Sequence, residues 1–301
     1  MKRIGTCRVG ALFALSALGA TLPAAGQGNV KVVVAEVADD RISAEMATGG
    51  LVLTLNLAGD GLDDVKSARI RVKEAKDDTG KSLVNPKASR AEFSDRNSNA
   101  GNIQVTLENP PRGAASVRLS GTADLFIPMR DPNSLVKVPG FLARPGKPVP
   151  SKGLGAAKVE VTVLSKDSYV EELKKDRLDE KKIAAIRAEA KERGMKDGEV
   201  ESLIEMAKAF DEIGASDFPE HGLYLRIPKA GEEKIQDFWL ETASGERIET
   251  GGSAGRTAGE TVLKQIDVKK ELPKDAVLVV SLFTDKAIVS VPFDIKEVPL
   301  P

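Results

Sequence analysis

Hydrophobic side chains recur along this chain with two different periods. From about residue 29 to 165 the period is two. Leu51, Leu53, Leu55 and Leu57 alternate with Val52, Thr54 and Asn56, and Ala68, Ile70 and Val72 alternate with Arg69, Arg71 and Lys73. Ile103, Val105 and Leu107 alternate with Gln104 and Thr106, and Val159, Val161 and Val163 with Glu160 and Thr162. Such alternation puts one face on a core and the other in water, so it predicts antiparallel strands. Turn-forming groups separate the runs: Gly59-Asp60-Gly61, Asp77-Asp78-Thr79-Gly80 and Asn109-Pro110-Pro111. Residues 128–155 carry Pro132, Pro139, Pro145, Pro148 and Pro150. Proline lacks a ladder donor, so this stretch reads as an extended loop that wraps an edge.

The period changes over 166–217. Ile183, Ile186 and Ala190 fall on one helical face, and Val200, Leu203, Ile204, Ala207 and Phe210 form a second stripe. Gly194 suits a helix C-terminus, and Asp197 or Gly198 a new start. The spacing predicts a helical hairpin with a shorter leading helix near 168–175. The two-residue period returns over 220–298. Leu223, Leu225 and Ile227 alternate with Tyr224 and Arg226, and the run from Val277 to Phe283 is almost wholly apolar, as in a strand buried on both faces. Val289, Val291 and Phe293 close the pattern, with Pro292 marking an edge strand.

The two β regions share an outline. Ala68-Arg69-Ile70-Arg71-Val72 leads to Asp77-Asp78-Thr79-Gly80-Lys81, then to Pro111 and a strand centred on Val117 and Leu119. Asp237-Phe238-Trp239-Leu240-Glu241 leads to Ser244-Gly245-Glu246-Arg247, then to Pro273 and a strand centred on Leu278 and Val280. Both read as strand, glycine turn, returning strand, and a proline-marked turn into a core strand. The fold expected is mainly β with a helical insertion: two immunoglobulin-like antiparallel β-sandwiches, 29–165 and 220–298, separated by the helical hairpin. Neither half has the Cys-Trp-Cys spacing of antibody domains.

The first 26 residues read as a secretory signal peptide. Lys2, Arg3 and Arg8 precede the apolar run Val9-Gly10-Ala11-Leu12-Phe13-Ala14-Leu15-Ser16-Ala17-Leu18, and Ala24-Ala25-Gly26 offers a cleavage site. The run is shorter than the roughly 20 residues of a spanning helix. Removing the leader takes three positive charges and the only cysteine, Cys7, and moves the net charge from -1 to -4. A mildly acidic, mixed surface argues against nucleic acid. With no thiol left, the fold has no disulfide and relies on core burial. Only 4% of residues are aromatic, so platforms for stacking sugars or bases are scarce.

Candidate chemistry is thin. His221, the only histidine, lies between Glu220 and Gly222 at a helix-to-strand junction, where a solvated loop histidine accounts for it. Asp39-Asp40, Asp60 with Asp63-Asp64, and Asp77-Asp78 offer oxygen ligands of the kind calcium takes, but each falls at a turn that aspartate favours for its own backbone bonds. Gly251-Gly252-Ser253-Ala254-Gly255-Arg256 reads as a flexible hairpin loop able to make contacts. It formally contains Gly-x-Ser-x-Gly around Ser253, without the strand-turn-helix setting of a nucleophile elbow. The sequence therefore nominates no catalytic, cofactor-binding or metal-ligating set. The expected function is that of an exported, non-enzymatic binding or scaffolding module of a bacterial envelope, periplasmic or secreted. Its partner would be a protein that meets the helical hairpin or a sandwich face. The alternative is a carboxylate-dependent, glycosidase-like hydrolase with a site between the two β regions.

Overall fold

A computed structural model describes residues 30–41, 49–85, 91–95, 102–192, 194–213 and 218–301, with side chains left out at 210–213. Residues 1–26, which the sequence reads as a signal peptide, lie outside the described residues. The fold is mainly β, with antiparallel sheets and few helices. In chain order the elements are β1 (Lys31–Asp40), β2 (Gly50–Ala58), β3 (Ser67–Asp77), β4 (Ser94–Asp95), β5 (Asn102–Leu107), β6 (Ser116–Phe126), β7 (Leu135–Pro139) and α1 (Lys152–Ala156). There follow β8 (Thr162–Leu164), α2 (Lys166–Lys175), α3 (Glu180–Glu192), α4 (Asp197–Ile213), β9 (Gly222–Pro228), α5 (Lys229–Glu232), β10 (Ile235–Glu241), β11 (Thr250–Ala258), β12 (Thr261–Val268), β13 (Val277–Leu282) and β14 (Ile288–Pro299).

The chain divides into two compact units. One joins the residues up to Ile127 to Ile288–Pro301, and the other is Pro128–Ala287. In the first, the sheet β1-β2-β5 and the sheet β14-β6-β3-β4 share one core. The alternation read from the sequence supplies it: Leu51, Leu53 and Leu55 of β2 are fully buried, opposite Ala68 and Ile70 of β3 and Val117, Leu119 and Ala123 of β6. Each such leucine stabilises the fold by about 1.5–3 kcal/mol. In the second unit the sheet β11-β12-β9-β8 and the sheet β10-β13-β7 share another core, with Leu225 and Ile227 of β9 meeting Leu278 and Val280 of β13.

One local pattern occurs in both units with the same hydrogen bonds. After β3, Asp77 N–H donates to Lys81 O (3.1 Å), Gly80 N–H to Asp77 O (3.0 Å) and Leu83 N–H to Ala75 O (2.9 Å). After β10, Thr242 N–H donates to Glu246 O (2.8 Å), Gly245 N–H to Thr242 O (2.9 Å) and Ile248 N–H to Leu240 O (2.8 Å). Gly80 and Gly245 have φ of 88° and 87°, which an L side chain rarely adopts. The opening residue caps each turn: Asp77 Oδ1 accepts from the Thr79 and Lys81 N–H groups, and Thr242 Oγ1 from the Glu246 N–H. The proline turns match as well, Ala114 N–H to Pro111 O and Ala276 N–H to Pro273 O, both at 3.0 Å.

Three expectations are corrected. Residues 128–155 are not a loop throughout. Pro132 and Pro139 bracket Leu135–Val138 and do not interrupt it, so β7 forms and pairs with β13 while Val136 and Val138 enter the core. The strand at the chain's end does not close the second β region. It pairs with β6 of the first unit, on the edge that Pro292 implies. As a result the contact units do not follow the boundaries at 165 and 220. Gly251–Arg256 is not a loop but the middle of β11, an edge strand paired with β12. Glycine carries no side chain to show a period, yet its backbone still pairs.

The outer face of the first unit's larger sheet carries a buried carboxylate. Asp124 of β6 is fully buried and accepts from Arg69 Nε (2.8 Å), Arg71 Nη2 (2.9 Å) and Ser290 Oγ (2.6 Å), so one group ties β3, β6 and β14. Burial alone would raise its pKa, but the hydrogen bonds from Ser290, Arg69 and Arg71 outweigh it and hold the carboxyl below its usual value. The chain threads tightly beside it: a Cβ on Gly121 would come within 2.2 Å of Arg71 O. We expect Asp124→Ala to lower unfolding stability by about 2 kcal/mol in denaturant titrations. Because the folded carboxyl titrates lower than the unfolded one, its contribution is present above about pH 4 and lost as pH falls through the folded value. Asp124→Asn should therefore flatten the acid limb of the stability profile; an unchanged limb would refute the assignment.

Candidate functional site

The second unit carries an open polar groove of about 300 Å³, lined by Glu232, Ser253, Arg256, Thr257, Val262 and Lys264. β11 and β12 place most of these groups, and α5 supplies Glu232. The cations are engaged within the fold. Lys264 Nζ lies 3.0 Å from Glu232 Oε1 and over the Phe238 ring, and Arg256 Nε lies 3.9 Å from Asp176 Oδ2. Glu232 is the one carboxylate in the lining. A pair able to share acid and base roles in glycoside hydrolysis is not assembled there. Ser253 has a strand on either side of it in sequence, without the helix that a nucleophile elbow requires.

Asp39 and Asp77 are engaged within the fold. Asp39 accepts from Arg41 Nε (2.7 Å) and Asn109 Nδ2 (2.6 Å). Burial would raise the Asp77 pKa, but hydrogen bonds from Thr79 and Lys81 keep it below the ordinary value. Among the described residues no group of three or more His, Cys, Asp or Glu side chains could hold a metal ion. His221 is half-buried one residue before β9, and its carbonyl accepts from the Val268 N–H at 2.9 Å. The scarce large aromatics are also committed. Tyr169 of α2 packs on Tyr224 of β9 (4.8 Å between centroids) and on Phe218 (6.2 Å), so α2 covers the outer face of that sheet. Burial raises the pKa of both tyrosines. Trp239 donates to Glu241 Oε1 (2.9 Å), which also holds Lys137 Nζ at Oε2 (2.5 Å).

The helices α3 and α4 form the hairpin the spacing predicts. Asp179 caps α3 by accepting from the Lys182 N–H (2.8 Å). Gly194, with φ of 76°, lets the Gly194 and Met195 N–H groups close on Lys191 O and Ala190 O. Glu199 reaches back to the Lys196 N–H (3.0 Å) at the start of α4. Ala190, Val200 and Ile204 are buried with Ile183, Ile186 and Met195 around them, a cluster that among the described residues shares no member with the sheet cores. Arg187 makes a two-pronged bond to Glu201 between the helices. Met206, on α4, is 52% exposed. Among the described residues no helix is long and apolar enough to cross a membrane.

No protein-family model, curated protein or solved structure matches the chain. What the sequence missed was β11, an edge strand almost without side chains, and the roles of Arg256 and Lys264. Their partners Asp176 and Glu232 come from distant segments of the chain. The separate cluster predicts independent melting of the arm. Ile204→Asp should abolish most of the α3–α4 helical circular-dichroism signal while leaving Trp239 fluorescence native. Joint loss of both signals would show that the arm and the sheets form a single core.

Proposed function

We propose that this chain is an exported, non-enzymatic binding or scaffolding protein, periplasmic or secreted, built on two immunoglobulin-like sandwiches. It meets a protein partner through the α3–α4 arm. The carrying observation is the arm itself: thirty residues of helix around a small cluster of their own, with the large apolar side chain of Met206 half exposed. A two-helix element with three buried aliphatic side chains adds little to the stability of the sheets. It does supply a rigid, ridged surface of the kind helical recognition uses. The sandwich reading is supported by the strand orders, three strands against four in each unit with every pairing antiparallel. Export is supported by the leader.

The test places a photo-crosslinking residue at Met206 in the full chain, expressed in its own host, with Met129 (78% exposed) as control. Adducts to a discrete protein are expected at Met206, competed by added unlabelled protein and lost in Ile204→Asp. Equal adducts at both sites, or none at Met206, would overturn the arm as the binding surface. Mass spectrometry of the envelope fraction should find a mature N-terminus at Gln27, and an unprocessed precursor in the cytoplasm would overturn export.

A further inference from the structure

We infer that the two units are one seven-stranded plan used twice in tandem, and that the two copies have exchanged their seventh strands. Strands seven apart in the chain occupy equivalent places. β1-β2-β5 forms one sheet of the first unit, and β8-β9-β12 forms the matching part of the second. β3 pairs with β6, and β10 with β13, each antiparallel. The turns that follow β3 and β10 carry the same hydrogen bonds, and so do the proline turns that precede β6 and β13. One strand departs from the plan: β4 lies on the edge of β3, while its counterpart β11 lies on the edge of β12.

By chain order the seventh strand of the first copy is β7 and that of the second is β14. Each is found in the other unit. β14 fills the free edge of β6, and β7 the free edge of β13. The register shows what was exchanged. Ile288, the first residue of β14, is paired with Phe126, the last of β6. Leu135, the first residue of β7, is paired with Ser281, next to the end of β13. A strand that starts beside the end of its antiparallel neighbour is in the register of a hairpin. Yet neither hairpin is closed by the chain. β6 runs on through 127–134 into β7, and β13 through 283–287 into β14. These two crossing segments are fastened to each other. Ser134, fully buried, lies with its hydroxyl 3.1 Å from that of Thr284, and Thr284 also hydrogen-bonds the buried Asp131.

The consequence is mechanical. Neither sheet pair is complete without a strand that continues directly from the other unit's central strand, so loss of one unit strips an edge from the other. The two sheet pairs unfold together, although each has a core of its own. This holds whatever partner the protein binds.

The test is a full-length chain with its segments transposed. Residues 288–301 follow Ile127 through an Asn-Gly turn, residues 128–139 follow Ala287, and a glycine-serine linker joins Pro301 to Gly140. All strands then reach the same places without crossing. The circular-dichroism spectrum should match that of the natural chain. In both chains a core substitution in the first unit, Leu53→Ala or the milder Ile103→Val, is read through Trp239, the sole tryptophan, which lies in the second unit. In the natural chain the denaturant midpoint of Trp239 should fall with the substitution. In the transposed chain it should stay where it was, while a separate, earlier transition appears by circular dichroism. A transposed chain that fails to regain the native spectrum, or a Trp239 midpoint that responds alike in both chains, would overturn the exchange.

Discussion

A long central strand needs a hydrogen-bonding neighbour on both edges, and two strands of this protein set that requirement. β6 has eleven residues and lies between β3 and β14. β13, nearly all buried, lies between β10 and β7. A bare edge on either would leave a row of backbone donors and acceptors beside a dry core, each costing energy comparable to a lost hydrogen bond. The path of the last strand in each unit follows from how those two edges are filled. The chain could satisfy them locally with two hairpins. It satisfies them at a distance, with strands that arrive by way of the other unit's central strand.

Backbone pairing alone accepts any strand, so the side chains on the outer faces choose. In the first unit the buried carboxylate of Asp124 needs several donors, and Ser290 of β14 supplies one of them beside Arg69 and Arg71. In the second, Glu241 of β10 reaches across to Lys137 of β7, with Trp239 as a second donor. Its carboxyl is held below the ordinary range by Lys137 first and Trp239 next. Each last strand thus carries the polar group that its sheet requires. A buried carboxylate without its donors is worse than none, which makes these ties a means of specifying the partner strand as well as a source of stability.

Much of this was legible in the chain. Alternation located β2, β3, β5 and β9, a continuous apolar run located β13, and the 3.6-residue period located α3 and α4 together with the glycine between them. The resemblance between the two β regions was visible as turn grammar, because Gly80 and Gly245 must take a backbone conformation closed to other residues. Pairing partners were not legible. Alternation says which face of Val289 and Val291 is buried but not against which sheet, and β14 reads equally well as the end of either region. Prolines hid β7, since Pro132 and Pro139 raise the proline content of a window whose four central residues are an ordinary strand. Glycines hid β11 for the opposite reason, having no side chain with which to alternate. The boundaries near 165 and 220 follow the order of strands along the chain, whereas compactness follows where the seventh strands go.

Where two copies of a plan agree, the shared parts serve the fold; where they part, surface is available for something else. Two of the differences between the copies are large. β4 is two residues on one edge, while β11 is nine residues on another, bare of bulky side chains over Gly251–Gly255 and bordering the polar groove. The connection between the first and second strands is residues 41–49 in one copy, and in the other it is α2, α3 and α4. Of these helices α2 is spent on covering Tyr224 and Leu263, and it anchors the insertion to its sheet. That leaves α3 and α4, whose described residues form a cluster of their own, outside the plan that the two copies share. A helix pair outside the plan that the two copies share is the element on which the proposed partner binding rests.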